Sequence, residues 1–103
     1  MIDIIIPIYN ARKTLELTLM SIRLQTIINK INIYLIDDNS SEDYKDILNK
    51  YKDMNIIYIK LDKNNGPAVA RQKGIEMSSS KYIMFIDADD LLYDADSIKK
   101  LFI

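Results

Sequence analysis

The chain opens with an apolar run of strand length, Ile2-Asp3-Ile4-Ile5-Ile6-Pro7-Ile8, which gives way to the polar pair Tyr9-Asn10. Similar runs follow at 31–36, 55–61 and 82–86. They are rich in Ile and Tyr and alternate only weakly, which is typical of strands covered on both faces of a parallel sheet. We therefore predict four strands with both faces covered.

Helical patterns lie between these runs. Apolar residues at close to helical spacing predict a first helix from about Ala11 to Gln25, with Asn10 capping its first turn. They are Leu15, Leu19, Ile22 and Leu24. Ser40 or Ser41, followed by two acidic residues, suits the start of a second helix because its free amide groups need acceptors. The expected buried stripe of this helix is Tyr44, Ile47, Leu48 and Tyr51.

A third helix follows the turn Asn64-Asn65-Gly66-Pro67, with Pro67 in its first turn and its end near Ser78. The residues that carry its pattern are Ala68, Ala70, Arg71, Ile75 and Met77. Strands and helices alternate throughout. We therefore predict one α/β domain over residues 1–103, with right-handed crossovers, a parallel sheet of about four strands and helices on both faces.

Composition narrows the classes of function. The 103 residues are 49% hydrophobic, which allows one core. The formal net charge is only -1, so we expect no nucleic-acid partner. Cysteine and histidine are both absent, so any metal must be held by oxygen, and Mg²⁺ or Mn²⁺ is expected.

The ends of the chain suggest its location and extent. The first apolar run is too short to span a membrane and lacks the basic lead of a signal peptide. We expect a cytoplasmic protein, with peripheral attachment to a membrane left open. Residues 97–103 begin a helical pattern without a closing Gly, Pro or polar stretch, so we expect truncation at the C-terminus.

Acidic residues follow the predicted strands. In open parallel sheets a ligand binds outside the carboxyl ends of the strands. Five aspartates are expected to crowd that rim, where a metal would relieve their repulsion. They are Asp37, Asp38, Asp87, Asp89 and Asp90. Asp87 and Asp89 can direct two carboxylates at one Mg²⁺ beside substrate phosphates, although ending the strand and capping a turn is the simpler alternative.

Other residues at the rim have both a binding and a structural interpretation. Asp38 could accept the N3–H of uracil while Tyr9 packs on the base, or both could serve only the connection and its packing. Arg71 could pair with the acidic rim or a phosphate, or face solvent. Gly66 could simply permit the turn.

Five motifs in a fixed order cover nearly the whole chain. They are Pro7-Ile8-Tyr9-Asn10, SIRLQ at 21–25, Ile36-Asp37-Asp38-Asn39-Ser40, NNGPAVARQKG at 64–74 and Phe85-Ile86-Asp87-Ala88-Asp89-Asp90. Together they closely resemble the N-terminal, nucleotide-sugar-binding portion of family 2 inverting glycosyltransferases of the GT-A fold. The resemblance implies a Rossmann-like half domain, a donor that is UDP-linked, Mn²⁺ or Mg²⁺ as cofactor, and a saccharide or lipid-linked acceptor.

The resemblance also implies roles for single residues. Asp38 matches the position that reads the base, Asp87 the first acid of the DXD motif at the ribose or diphosphate, and Asp89 the acid that binds the metal. The remaining matches are Pro7 and Tyr9 at the edge of the base pocket, and Gly66 and Arg71 in the loop and helix that complete the donor site.

One departure concerns catalysis. In this family the acceptor-binding half and the catalytic base follow the DXD motif, whereas this chain ends shortly after it. Because inverting transfer needs a base, we expect donor binding without efficient transfer, and no catalytic residue is assigned.

Two alternatives to a glycosyltransferase remain. One is a truncated domain that binds partners, or associates with itself, through an exposed apolar face. The other is a haloacid-dehalogenase-type phosphatase, which also uses paired aspartates after a strand. That class has them on its first strand with Thr or Val in the fifth place, whereas Leu91 stands there in this sequence.

Overall fold

The computed structural model describes residues 1–92 and 94–101, in which strands and helices alternate. Their bounds are β1 (Ile2–Ile8), α1 (Arg12–Arg23), β2 (Ile31–Asp37), α2 (Lys45–Lys50), β3 (Ile56–Lys60), α3 (Pro67–Met77), β4 (Tyr82–Phe85) and α4 (Ser97–Lys100), with a 3-10 turn at Ile28–Lys30. The four strands form one parallel sheet in the order β3-β2-β1-β4. The predicted four-stranded parallel α/β fold is confirmed.

Helices cover both faces of the sheet, as predicted. On one face, alternate residues of β1 pack with the buried stripe of α1 and with α2: Ile4, Ile6, Ile8, Leu15, Leu19, Ile22 and Ile47. On the other face, Ile5 and Ile36 pack against Ala70 of α3. Gly74 lets α3 approach β1 closely, because a Cβ at this position would overlap with Ile5 Cγ2. No helix in the described part of the chain is both long and apolar enough to cross a bilayer.

The strand register brings three loops to one edge. Ile8 of β1 lies beside Asp37 of β2, and Ile5 lies beside Phe85 of β4. Since all strands are parallel, their carboxyl ends meet at the same edge. The segments that begin with Tyr9, Asp38 and Ile86 therefore leave the sheet side by side.

The starts of two helices differ from prediction. α1 begins at Arg12, and Asn10 does not cap it; the Asn10 Oδ1 instead accepts the N–H of Ser41 at 2.9 Å. α2 begins at Lys45 rather than after Ser40 or Ser41, because these serines contact the β1 loop instead of capping a helix. The predicted α2 stripe is confirmed, with Tyr44, Ile47 and Tyr51 buried and Leu48 partly buried.

The sheet is less covered around β4 than predicted. β4 is an edge strand, and its residues Ile83 and Phe85 are 40% and 44% exposed. On α3, Ile75 and Met77 are also exposed, and only Ala70 and Gly74 are buried. The prediction that every strand is covered on both faces is wrong for β4, because α3 packs over β1 and β2, through Ile5 and Ile36, and leaves this face of β4 open.

Asp3 fastens β1 to the link between α3 and β4. Its fully buried carboxylate accepts hydrogen bonds from the hydroxyls of Ser78 and Ser80, the backbone N–H of Ser79 and Ser80, and the Asn32 amide. Burial raises the pKa of Asp3, but the hydrogen bonds of Ser78, Ser80 and Asn32 outweigh it and lower the pKa to about 2. The connection Ser78-Ser79-Ser80 between α3 and β4 is therefore held in one conformation by the Asp3 carboxylate.

Candidate functional site

The loops after β1 and β2 are tied together at the carboxyl edge of the sheet. Ser40 Oγ accepts the N–H of Asn10 at 2.9 Å and lies 3.0 Å from the Tyr44 hydroxyl. That hydroxyl accepts the N–H of Ala11 at 3.0 Å. Asn10 and Asn39 have φ values of 46° and 62°, a left-handed conformation that asparagine tolerates better than most residues. The two loops thus form one connected rim.

A cleft of about 160 Å³ lies on this rim, between the ends of β1 and β2 and the start of α3. It is lined by Pro7, Ile8, Tyr9, Asp38 and Pro67. The Tyr9 side chain is 52% exposed. Three of the predicted site residues, Pro7, Tyr9 and Asp38, therefore share one cleft. Pro67, which the sequence predicts only as a helix start, joins them.

The Asp38 carboxylate holds the loop that leads into α3. One of its oxygens accepts the N–H of Asn65 at 2.9 Å, and the other accepts the N–H of Gly66 at 2.8 Å. Gly66 has φ 92° and ψ 164°, a region essentially restricted to glycine. Each carboxylate oxygen offers two acceptor positions, so Asp38 keeps capacity for a further donor in the cleft.

Asp37 has a structural role instead. Its carboxylate is fully buried, accepts the N–H of Ser40 at 2.8 Å, and accepts a hydrogen bond from the Tyr58 hydroxyl. Burial, and then the hydrogen bond to Asp37, raise the pKa of Tyr58, which keeps that hydroxyl protonated as the donor. The predicted crowding of five carboxylates at one rim is wrong for Asp37, because this group is used inside the fold.

Arg71 links α3 to the loop after β4. Its Nη2 lies 3.0 Å from Asp87 Oδ1 in a partly exposed ion pair. α3 is therefore held at its start by the contact of Asp38 with Gly66, and in the following turns by the contact of Arg71 with Asp87. The cleft and the end of β4 are joined through this one helix.

Asp87, Asp89 and Asp90 form an exposed acidic cluster after β4. One carboxylate oxygen from each residue lies within 4.8 Å of the others. Asp90 Oδ2 accepts the backbone N–H of Asp87 at 3.0 Å, and Asp87 pairs with Arg71. Within the described residues, the Asp89 side chain forms no hydrogen bond or ion pair. Three oxygen ligands at this spacing suit a hard divalent cation such as Mg²⁺ or Mn²⁺.

Comparison with known families shows which family the chain belongs to. The model of glycosyl transferase family 2 matches residues 3–102. The chain belongs to this family. Its DXD motif, Asp87-Ala88-Asp89, follows the fourth strand rather than the first, so the phosphatase alternative has no support from the fold.

Curated family 2 relatives extend well beyond the matched region. The chain is 41% identical over 90 residues to the Escherichia coli UDP-Glc:alpha-D-GlcNAc-diphosphoundecaprenol beta-1,3-glucosyltransferase WfaP, covering 87% of this chain and 36% of that protein. It is 36% identical over 92 residues to the putative teichuronic acid biosynthesis glycosyltransferase TuaG of Bacillus subtilis (strain 168), with the same two coverages, 87% and 36%. The chain thus spans about a third of the length of these relatives.

Solved structures share the fold. S. aureus TarS 1-349 in complex with UDP-GlcNAc superposes with a TM-score of 0.89 at 24% identity, over 97% of this chain and 29% of that one. The mannosyltransferase PcManGT from Pyrobaculum calidifontis, in complex with GDP-Man and Mn²⁺, gives 0.86 at 20% identity, over 94% and 30%. The predicted Rossmann-like GT-A fold is confirmed.

All residues predicted for the family 2 donor site lie along the same edge. They are Pro7, Tyr9 and Asp38 at the cleft, Gly66 and Arg71 at the start of α3, and Asp87 and Asp89 after β4. Their roles toward a ligand stay predictions.

Sequence reasoning missed the residues that hold the loops of this family 2 site. Ser40 and Tyr44 connect two loops, and Thr18, buried in α1, contacts the carbonyl oxygens of Ala88 and Asp90. The available signal for Thr18 was a small hydroxyl residue beside the apolar stripe of a helix. Its partners lie 70 and more residues away along the chain, so local spacing could not identify them.

Proposed function

We propose that this chain is the donor-binding portion of a glycosyltransferase that uses a UDP-linked sugar together with Mn²⁺ or Mg²⁺. The observation that carries the proposal is the continuous edge from the cleft, through α3, to the acidic cluster. Asp38 holds the start of α3 and Asp87 pairs with Arg71 in its following turns. A nucleoside diphosphate has a flat base and a charged diphosphate. The cleft could bind the base, and the acidic cluster could bind the diphosphate through a metal.

In this proposal the base occupies the cleft lined by Pro7, Tyr9 and Asp38. The exposed Tyr9 ring packs on the face of the base. Asp38 accepts the N3–H of uracil through a lone pair that its backbone contacts leave available. Cytosine has no hydrogen on N3, so the same contact would favour UDP over CDP.

The diphosphate occupies the other end of the edge. Asp89, which has no partner among the described residues, would be the main protein ligand of the divalent metal, with Asp87 at the ribose or diphosphate. A bound metal supplies charge stabilisation to the departing diphosphate. Arg71 keeps Asp87 oriented through their ion pair and adds a positive charge where phosphates would lie.

The transfer itself is proposed only for a protein of the length of the curated relatives, of which this chain spans about a third. There the sugar would pass with inversion to a saccharide or lipid-linked acceptor. No catalytic base is assigned within residues 1–103. Peripheral attachment to the cytoplasmic side of a membrane is consistent with a lipid-linked acceptor.

Calorimetric titration of the chain with UDP tests the donor site. It is carried out once in EDTA, which removes divalent metal, and once in the presence of Mn²⁺. We expect binding in both conditions and a gain in affinity of about tenfold or more with Mn²⁺, because the acidic cluster would hold the cation and its charge would attract the diphosphate. The Asp89→Ala variant should lose the Mn²⁺-dependent gain and keep metal-free binding. The control is Asp53→Ala, which removes an exposed aspartate at the opposite edge of the sheet.

Each outcome addresses a separate part of the proposal. Absence of binding heat in both conditions would contradict the donor site as a whole. A full Mn²⁺-dependent gain in Asp89→Ala would contradict the metal assignment alone. Equal affinity for UDP and CDP would contradict the contact of Asp38 with the base.

A second function, self-association, rests on exposed apolar residues of β4 and of α3. Ile83 and Phe85 of β4 and Ile75 and Met77 of α3 are each at least 40% exposed, and exposed apolar surface can serve as an interaction site. Sizing experiments over a range of concentrations test it. Dimers that disappear in Phe85→Ser would support this function, whereas a monomer at every concentration would exclude it.

A further inference from the structure

Thr18 and Ser21 of α1, together with Gln25 two residues after its end, form a polar face beside the apolar stripe of the helix. Thr18, Ser21 and Gln25 are three and four residues apart, so they line one side of the helix and its C-terminal end. Thr18 and Gln25 are almost fully buried, with 1% and 3% exposure. A buried polar group destabilises a fold unless it has a partner. The three residues are named here the α1 polar face.

The partners of the α1 polar face lie in the segment that carries the acidic cluster. Thr18 Oγ1 lies 2.9 Å from the carbonyl oxygen of Ala88 and 2.7 Å from that of Asp90. Ser21 Oγ accepts the N–H of Leu92 at 3.2 Å. A single hydroxyl of α1 therefore reaches the residues on both sides of Asp89.

Gln25 holds the continuation of the same segment. Its Nε2 donates to the carbonyl oxygen of Asp94 at 2.9 Å, and its Oε1 accepts the N–H of Ile98 at 3.0 Å. Next to it, the backbone N–H of Thr26 donates to the Ala95 carbonyl oxygen at 2.8 Å. Gln25 therefore contacts both the turn just before α4 and α4 itself.

These contacts matter for Asp89 because its side chain is not held by any described residue. Its direction is therefore set by its backbone, and the one hydroxyl proton of Thr18 is shared between the two flanking carbonyl oxygens, which both lie within hydrogen-bond distance. A metal ligand needs such support, since groups behind the direct ligands commonly change metal affinity by about 10- to 100-fold.

We propose that Thr18 is a positioning residue, which sets the direction of Asp89 for metal-assisted nucleotide binding, and that Ser21 and Gln25 support the same segment. This inference rests on the proposed donor site. Thr18 acts through the backbone of Ala88 and Asp90 and touches neither the metal nor the nucleotide.

The test is the nearly isosteric Thr18→Val variant, which removes the hydroxyl and keeps the shape. We expect the Mn²⁺-dependent gain in UDP affinity to fall by about tenfold, and the metal-free UDP affinity to change less than about twofold. Thr18→Ser should restore most of the gain, because it restores the hydroxyl. The matched control is Thr14→Val on the same helix, since among the described residues the Thr14 hydroxyl is hydrogen-bonded only to the Ala11 carbonyl oxygen.

Backbone hydrogen exchange provides a readout that needs neither metal nor nucleotide. In Thr18→Val, exchange over residues 87–92 should rise by about tenfold, while Thr14→Val leaves it unchanged. Unchanged exchange in this segment would overturn the proposal, even if the unmodified chain binds no metal. A full Mn²⁺-dependent gain in the UDP affinity of Thr18→Val would also overturn it. So would an equal loss of UDP affinity with and without Mn²⁺, because that result indicates a merely structural role of Thr18. Failure of the unmodified chain to bind UDP would contradict only the proposed function.

Discussion

Replacing Asp3 by Asn removes a buried charge that accepts five hydrogen bonds, while preserving the size of the side chain. The carboxylate accepts hydrogen bonds from Ser78, Ser79, Ser80 and Asn32. The Asn side chain has one acceptor oxygen and one NH₂ group. At least one of the buried donors that bond to the Asp3 carboxylate would therefore face this NH₂ group, which is itself a donor. We expect Asp3→Asn to fold with a clearly lower free energy of unfolding.

The magnitude follows from the pKa of Asp3 and from the lost acceptor. The difference between the ordinary pKa of 3.8 and the folded value of about 2 corresponds to about 2 kcal/mol at neutral pH. One buried donor left without an acceptor adds about 1 kcal/mol or more. We therefore expect a loss of about 3 kcal/mol at pH 6.

The pH dependence has a defined sign. Because the pKa of Asp3 is lower in the folded state, its contribution is complete above the unfolded-state pKa near 4 and is lost as the pH falls toward 2. About half of the charge contribution remains at pH 3. The difference between the original chain and Asp3→Asn should thus shrink from about 3 kcal/mol at pH 6 to about 2 kcal/mol at pH 3.

Urea unfolding followed by circular dichroism at both pH values measures this difference. The control Asp53→Asn removes an exposed carboxylate that lies 3.7 Å from Arg23, and should change the free energy of unfolding by less than about 0.5 kcal/mol. A loss below about 1 kcal/mol for Asp3→Asn at pH 6 would show that the charge and hydrogen bonds of Asp3 do not stabilise the fold to this extent. So would a difference that is the same at pH 6 and pH 3.

Two glycine substitutions test the path of α3. Gly66→Ala should cost about 1 to 3 kcal/mol in urea unfolding, because alanine is strained at φ 92° and ψ 164° although space is available, and it should weaken UDP binding by loosening the loop held by Asp38. Unchanged stability would show that the loop adopts another conformation. Gly74→Ala should also destabilise the chain by about 1 to 3 kcal/mol, since its Cβ would overlap with Ile5 Cγ2, despite the higher helix propensity of alanine. A gain in melting temperature would contradict the close packing of α3 on β1.

The arrangement of the strands was predictable because the sequence pattern and the chain connectivity act together. The Ile-rich runs give the strands, and their alternation with helices requires parallel pairing. Since parallel strands end at a common edge, the grouping of Tyr9, Asp38 and Asp87 followed from their positions directly after strands. The prediction needed no knowledge of side-chain contacts.

The start of α2 was not predictable because two interactions compete for the same serines. Ser40 and Ser41 have the local pattern of helix caps. In the fold, Ser40 accepts the N–H of Asn10, and Ser41 donates to the Asn10 side chain, 30 and 31 residues away. These long-range contacts join two loops, and the helix begins only at Lys45. Thr18 and Asp3 were missed for the same reason, since their partners are distant in sequence.

The buried polar residues show why the exposed charges of this edge are available for a ligand. Among the described residues, Thr18, Asp37, Asp38 and Ser40 are buried polar groups whose partners lie in loops at the carboxyl edge. Because a buried polar group must be satisfied, each of them fixes backbone that would otherwise be free to move. The loops at this edge are therefore held in place by buried polar side chains. The exposed Asp89 carboxylate does not take part in holding them, so it can meet a cation without loss of an existing contact.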